Sequence, residues 1–323
     1  MVQATQRRAL ICGVSGQDGA YLARLLVDKG YEVFGTSRDV NAQRFGRLDS
    51  LWLNGRIRLL SMAPNDFRSV LQTLSLSHPD EIYNLAGQSS VGLSFEQPVE
   101  TIESVAMGTL NLLEAIRFVD SSIRLYSAGS SECFGDTGTA RANEHTPFRP
   151  RSPYAVAKAC AHNLVANYRE AYGMHASTGI LFNHESPLRP ERFVTQKIIR
   201  GAARIARGEL DVLTIGNLDI HRDWGWAPDY VDAMWRMLQQ DAPSDYVIAL
   251  GRTASLEEFV ALAFGHFGLD WRNHVHHDAA LLRPSDIRFG AADPERARDR
   301  LGWQATVSLE ELITRMCGAV SAL

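Results

Sequence analysis

Short apolar runs alternate with amphipathic stretches along most of this chain. Arg8-Ala9-Leu10-Ile11-Cys12 has the length and composition of a buried parallel strand and leads straight into Gly13-Val14-Ser15-Gly16-Gln17-Asp18-Gly19. The stretch from Ala20 to Lys29 places Leu22, Leu25 and Leu26 on one face, which predicts a helix stopped at Gly30. Tyr31-Glu32-Val33-Phe34-Gly35-Thr36 predicts a second strand. The pattern then repeats: a strand over 81–86, an amphipathic helix over 105–118 with Leu110, Leu113 and Ile116 on its apolar side, and a strand over 124–127. Strands and helices in alternation through short connections imply an α/β fold with a doubly wound parallel sheet, whose ligands sit outside the carboxyl ends of the strands. From residue 183 the strict alternation fades. The expected division is a dinucleotide-binding domain over 1–182 and a smaller α/β substrate lobe over 183–323, with some later segments returning to the first domain.

Three glycines, Gly13, Gly16 and Gly19, fall between the first strand and the first helix in the spacing G-x-x-G-x-x-G. That spacing allows a tight turn, close approach of the backbone to a pyrophosphate, and its seat at a helix N-terminus. In this βαβ setting the loop, with Gln17 and Asp18 inside it, predicts a dinucleotide site on a Rossmann-type sheet. An acidic residue ending the second strand would accept a ribose 2′-hydroxyl, whereas an arginine accommodates a 2′-phosphate. Arg38 precedes Asp39, which favours NADP and keeps NAD open. Leu85 and Ala86 are expected along the cofactor, and Ser89 and Ser90, in the loop that follows, against a substrate.

Tyr154 and Lys158 lie four residues apart on one helical face. An ammonium near a phenol stabilises the phenolate, so the pair predicts an acid/base with a lowered pKa. Upstream, Ser130-Ser131-Glu132 adds two hydroxyls and a carboxylate at the end of the strand over 124–127. A simple alcohol dehydrogenase needs neither a second base nor a proton donor for a leaving group, so the set points to elimination as well as hydride transfer.

Composition narrows the partners more than the chemistry. The 323 residues are 45% hydrophobic and 22% charged, with a formal net charge of -4, and no block of like charge points to nucleic acid or to an anionic membrane surface. Cys12, Cys133, Cys160 and Cys317 show no C-x-x-C spacing and predict reduced thiols rather than a disulfide or metal framework. Met1 to Arg8 lacks an apolar run and the longest apolar stretches are strand-sized, so a cytoplasmic protein without a membrane span is expected.

Several longer runs carry a resemblance: Gly13 to Leu22, Tyr83-Asn84-Leu85-Ala86, Pro150-Arg151-Ser152-Pro153-Tyr154, Asn167 to Gly173, Gly179 to Pro187, Gly216-Asn217-Leu218-Asp219, and Arg222-Asp223-Trp224-Gly225. With them the chain resembles the extended short-chain dehydrogenases/reductases. Over nearly its whole length it is similar to the GDP-mannose 4,6-dehydratases, and the runs 183–187 and 222–225 are the most specific. The resemblance implies NADP used catalytically and a GDP-sugar substrate. Tyr154 would take the C4 hydroxyl proton, Lys158 would hold the ribose, Glu132 would remove the C5 proton, and Ser130 or Glu132 would assist loss of water at C6. It further implies Asn183, Lys197, Arg222 and Arg283 at the sugar, diphosphate or base, and His184 and Arg189 along the cofactor phosphates. It also implies a homodimer through helices around 105–118 and 154–172, or a homotetramer.

The departures from that pattern keep alternatives open. Ser130 stands where the family usually has threonine. Met62-Ala63-Pro64-Asn65-Asp66 replaces a Gly-Asp pair whose aspartate lies near the adenine, so that either adenine binding weakens or Asp66 takes over. Arg38-Asp39 replaces a double arginine, in a loop through Arg47 associated with pairing of dimers. Gly129-Ser130-Ser131-Glu132 also resembles the 4-keto-6-deoxymannose reductases. The competing readings are a dehydratase of a GDP-manno-heptose, an NADPH-consuming reductase, and a non-catalytic NADP-binding protein.

Overall fold

The computed structural model describes residues 6–281 and 284–321. Its strands are β1 (Arg8–Cys12), β2 (Glu32–Ser37), β3 (Arg58–Ser61), β4 (Glu81–Asn84), β5 (Arg124–Ala128), β6 (Ala176–Leu181), β7 (Asn183–Glu185), β8 (Leu213–Ile215), β9 (His221–Trp226), β10 (Tyr246–Ile248), β11 (Thr253–Ser255) and β12 (Val275–His277). Seven of them form one parallel sheet in the order β10-β6-β5-β4-β1-β2-β3. From β1 the chain runs outward through β2 to β3, then returns to place β4 on the other side of β1. That reversal opens a crevice at the carboxyl ends of β1 and β4, where Gly13 and Leu85 follow.

Both faces of the sheet are covered, as a parallel sheet requires. On one face the helices Gln17–Asp28 and Ala227–Leu238 pack together through Leu22, Leu26, Tyr230, Met234 and Met237. On the other face the helices Phe67–Ser77, Gly108–Val119 and Pro153–Tyr172 bury Val70, Leu74, Leu112, Ile116 and Val165. A second core, built around Trp224 and Phe259, joins the helices Val194–Ala206, Leu256–His266 and Leu309–Ser321 to a three-stranded sheet of order β11-β9-β7. β8 and β12 form a parallel pair beside it.

The first helix starts at Gln17, three residues before its apolar face begins, because Gly16 is extended and the polar Gln17 and Asp18 form its first turn. It stops where expected, with Gly30 at φ +85°. The helix expected over 105–118 is split. A π-helical turn, Glu103–Met107, precedes the regular helix Gly108–Val119, and its Val105 side chain lies where a Cβ on Gly87 would be 2.9 Å away. The Asp66 carboxylate caps the helix Phe67–Ser77 by accepting from the Arg68 backbone N–H at 3.0 Å. After β7 the chain returns to the first sheet through the helix Ala227–Leu238 and β10, which pairs with β6.

Candidate active site

The glycine loop is shaped by contacts that no side chain could share. A Cβ on Gly13, at φ +85°, would lie 3.0 Å from the Leu85 carbonyl oxygen, and a Cβ on Gly19 would lie 2.5 Å from that of Gly13. Gly16 is different: its φ is -73° and a Cβ there would meet only the Gly13 oxygen, at 3.4 Å. The protein's own packing does not demand glycine at 16, so the residue leaves open the space before the first turn of the helix.

Arg47 donates to the Ser15 carbonyl at 3.0 Å and to that of Leu188 at 2.8 Å, bridging this loop to the segment after β7. Gln17 spans the same gap, donating to the His184 carbonyl at 3.2 Å and accepting from the Ser186 hydroxyl at 2.7 Å. His184 Nε2 is 2.9 Å from an Asp18 carboxylate oxygen, its Nδ1 is 2.7 Å from the Phe182 carbonyl, and its ring stacks on Tyr230 at 4.5 Å. Burial raises the Asp18 carboxyl, but the charge and hydrogen bond of His184, with Gln17 and Arg189, bring it down to about 2. Burial in turn lowers His184, but Asp18 outweighs it and holds the imidazolium above its ordinary range.

Tyr154 enters the site because Ser152 caps its helix, accepting from the Ala155 N–H at 3.1 Å, and Pro153 opens the first turn. Its ring therefore faces the end of β5, where the Ser130 hydroxyl hydrogen-bonds the phenol and also accepts from the Glu132 N–H at 3.3 Å. One turn on, Lys158 Nζ donates to the Ala128 carbonyl at 2.6 Å and sits 5.9 Å from the Tyr154 ring. Burial lowers this ammonium to about 8. The phenol departs from expectation: burial dominates and pushes it above its ordinary value, with the Ser130 hydrogen bond only partly offsetting it. Cys133 is structural, its buried thiol pushed up to about 12 and donating to the Ala155 carbonyl at 3.6 Å.

These groups line a cavity of about 390 Å³ that also takes in Asp18, Leu85, Ala86, Ser89 and Ser90. Asn183, His184, Arg189, Lys197 and Arg222 line it from the stretch between β7 and β9. The Ser90 hydroxyl caps the helix Val91–Glu96, which ties down its loop. Lys197 donates to the Thr214 carbonyl at 2.8 Å, and Arg222, buried, lies 3.4 Å from Asp286. Gly13, Gly16, Gln17, Gly19 and Arg38 stand outside the lining, and Arg38 is exposed and paired with Glu100 at 3.2 Å. Arg283 lies outside the described residues. Sequence reasoning missed the groups that hold Arg189: its guanidinium stacks 3.7 Å from the Phe193 ring centre, with Nε 3.3 Å from the buried Glu185 carboxylate. Glu185 also accepts from the Thr195 hydroxyl at 2.7 Å. Arg192 is likewise an unforeseen cation on the cavity wall. Among the described residues, no His/Cys/Asp/Glu group could hold a metal ion, and no helix is long and apolar enough to cross a membrane.

A family model described as GDP-mannose 4,6 dehydratase matches residues 10–316. GDP-mannose 4,6 dehydratase 1 of Arabidopsis thaliana is 46% identical over 318 residues, covering 95% of this chain and 88% of the plant protein. The GDP-mannose 4,6-dehydratase of Sinorhizobium fredii is 45% identical over 332 residues, covering 95% of each. Among solved structures, a dTDP-glucose 4,6-dehydratase of Streptomyces venezuelae with NAD bound superposes with a TM-score of 0.87 at 22% identity. It covers 98% of this chain and 97% of that one, which speaks for the fold alone.

Proposed function

The chain belongs to the GDP-mannose 4,6-dehydratase family, and from that premise we propose that it removes water from a GDP-sugar, GDP-mannose before others, with NADP as a recycled cofactor. The observation that carries the reading is the convergence of Ser130, Glu132, Tyr154 and Lys158 on one cavity that is walled on its far side by Arg189, Lys197 and Arg222. A dehydratase needs both an acid/base for an alcohol and a separate base for an acidified C–H, and both are present.

The residues fit a dinucleotide. The tight packing around Gly13 and Gly19 brings the backbone close, and the free space at Gly16 opens the helix N-terminus to a pyrophosphate. The exposed Arg38 supports a 2′-phosphate and hence NADP. When bound, the nicotinamide would supply the oxidant for C4 of the sugar and later the reductant for C6.

The chain's own groups carry the protons. Tyr154 takes the C4 hydroxyl proton, a transfer that the raised phenol disfavours until positive charge enters the cavity beside it. Lys158, held by the Ala128 carbonyl, keeps a proton at neutral pH and supplies part of that charge. Once C4 is a ketone, Glu132 removes the acidified C5 proton, and Ser130, or Glu132 again, protonates the leaving C6 hydroxyl as water. Arg189, fixed by Phe193 and Glu185, presents its fork to phosphate oxygens. A second copy of the chain would cover the exposed Val99, Ile102, Met107, Phe118, Val156 and Tyr172 on the helices from 98 to 172, giving a homodimer.

Incubating the protein with GDP-mannose and catalytic NADP+, with Glu132→Gln in parallel, tests the reading. Loss of one water without net NADPH, lowered at least 100-fold in the variant, is expected. Consumption of NADPH by a 4-keto-6-deoxy sugar nucleotide with no dehydration would replace the reading with a reductase.

A further inference from the structure

Asp18 sits at an awkward place for an acid. It lies in the first turn of the helix Gln17–Asp28, whose N-terminus lies beside the space left by Gly16. A carboxylate there repels a pyrophosphate that the helix terminus attracts. His184 comes from β7, and both of its ring nitrogens point at acceptors: the Phe182 carbonyl at 2.7 Å and the Asp18 carboxylate at 2.9 Å. A backbone carbonyl can only accept, so Nδ1 must carry a proton. The second contact needs one more proton, on Nε2 or on the carboxyl.

We propose that Asp18 and His184 form a charged clasp, in which His184 is an imidazolium that cancels the Asp18 charge beside the phosphate site and fastens the glycine loop to β7. Both N–H groups of His184 are spent inside the protein, which leaves none for a phosphate. Its ring is further fixed by the Tyr230 stack at 4.5 Å, and Gln17 reinforces the clasp through the His184 carbonyl and Ser186.

The proton belongs on the imidazole because both shifts run that way, with Asp18 held to about 2 and His184 held above its ordinary range. Every charged or titratable group facing the pair agrees with this or opposes it weakly. Arg189, from the segment after β7, stabilises the carboxylate and opposes the imidazolium. Lys158, from the helix Pro153–Tyr172, feels Asp18 as a favourable charge. The Tyr21, Tyr126 and Tyr230 phenols, from the helix Gln17–Asp28, β5 and the helix Ala227–Leu238, stay neutral because burial raises all three.

The inference rests on the dinucleotide reading, so its first test uses the full chain without cofactor. With histidines carrying 13C at Cε1 and the His184 signal identified by its loss in His184→Gln, the signal is expected to hold its imidazolium position to higher pH than an ordinary histidine, whose midpoint is about 6.5. In Asp18→Asn it should titrate below its ordinary range, because burial and Arg189 then lower it without the opposing carboxylate. Titration at or below the ordinary midpoint in the native protein, or a signal that Asp18→Asn does not move, overturns the proposal. The second test measures NADPH affinity at pH 7 by fluorescence. His184→Gln leaves Asp18 uncompensated and is expected to weaken binding about tenfold, Asp18→Asn about threefold, and the double variant should recover most of the His184→Gln loss. A double variant as weak as His184→Gln or weaker marks His184 as a direct phosphate ligand and sinks the clasp. A native protein that binds no NADPH would refute the dinucleotide reading instead, and the histidine titration would still decide the clasp.

Discussion

Gly16 and Gly19 belong to one loop, yet substituting alanine should damage different properties at the two positions. A Cβ on Gly19 would lie 2.5 Å from the Gly13 oxygen, 2.7 Å from Val14 Cα and 2.9 Å from the Val14 carbonyl carbon, all of them backbone atoms that no rotamer change can move aside. Reaching an ordinary contact of about 3.5 Å requires the helix to retreat from the loop by about 1 Å. Overpacking costs ~1–3 kcal/mol, and with three backbone atoms inside 3.0 Å the upper end applies, while alanine regains ~1 kcal/mol of helix propensity over glycine, leaving a net loss of ~2 kcal/mol. At Gly16 the added Cβ meets one atom at 3.4 Å in a backbone conformation that any residue adopts, so only the poorer cap opposes it, at ~0.5 kcal/mol. Denaturant unfolding without cofactor should therefore separate the two variants. NADPH titration should show both weakened tenfold or more, Gly16→Ala because the methyl occupies the space kept for a phosphate and Gly19→Ala because the helix terminus has moved. A Gly16→Ala protein that binds NADPH as tightly as the native chain, or a Gly19→Ala protein of native stability, would refute the reasoning.

Lys158→Met should abolish turnover yet raise the stability of the cofactor-free protein at pH 7 by ~1 kcal/mol. Burial depresses the ammonium from 10.5 to about 8, formally ~3 kcal/mol, but water in the open cavity screens part of that and the Ala128 hydrogen bond is lost. The unfolded chain binds the extra proton between pH 8 and 10.5, so native stability rises with pH across that window and the gap to the variant should close by pH 10 in thermal melts. Arg189→Lys loses the stack on Phe193 and the planar fork, and should raise KM about tenfold with kcat held within a few-fold, measured by initial rates. Leu26→Ala, inside the core under the first helix, should cost ~3 kcal/mol in urea unfolding without altering the shape of the pH–rate profile.

What was legible in the chain followed from local spacing. β1, the glycine loop and the stop at Gly30 share a few consecutive residues, and Tyr154 with Lys158 is one helical turn, so both emerge from the order of residues alone. The helix start at Gln17 was missed because its first turn is polar and shows no period. The π-helical turn at 103–107 puts Val105 against Gly87, a contact between segments some twenty residues apart that no local period announces. Tyr246-Val247-Ile248 is too short to announce that it closes onto β6, and Glu185 and Phe193 act only through Arg189. The direction of the Tyr154 phenol depends on how much water reaches it, which no spacing encodes.

The return of the chain to β10 also governs how the protein can be made. β6, buried at every position, has β5 on one edge and β10 on the other. On a ribosome adding ~5–20 residues per second, the segment between Leu181 and Tyr246 takes on the order of 3–13 s to synthesise. For that interval the nascent sheet presents β6 as an unpaired edge, and the first helix lacks the helix Ala227–Leu238 that packs beside Leu22 and Leu26. Such an edge recruits other chains, so crowding of polysomes and the supply of chaperones, rather than the stability of the finished enzyme, should set the yield of soluble protein.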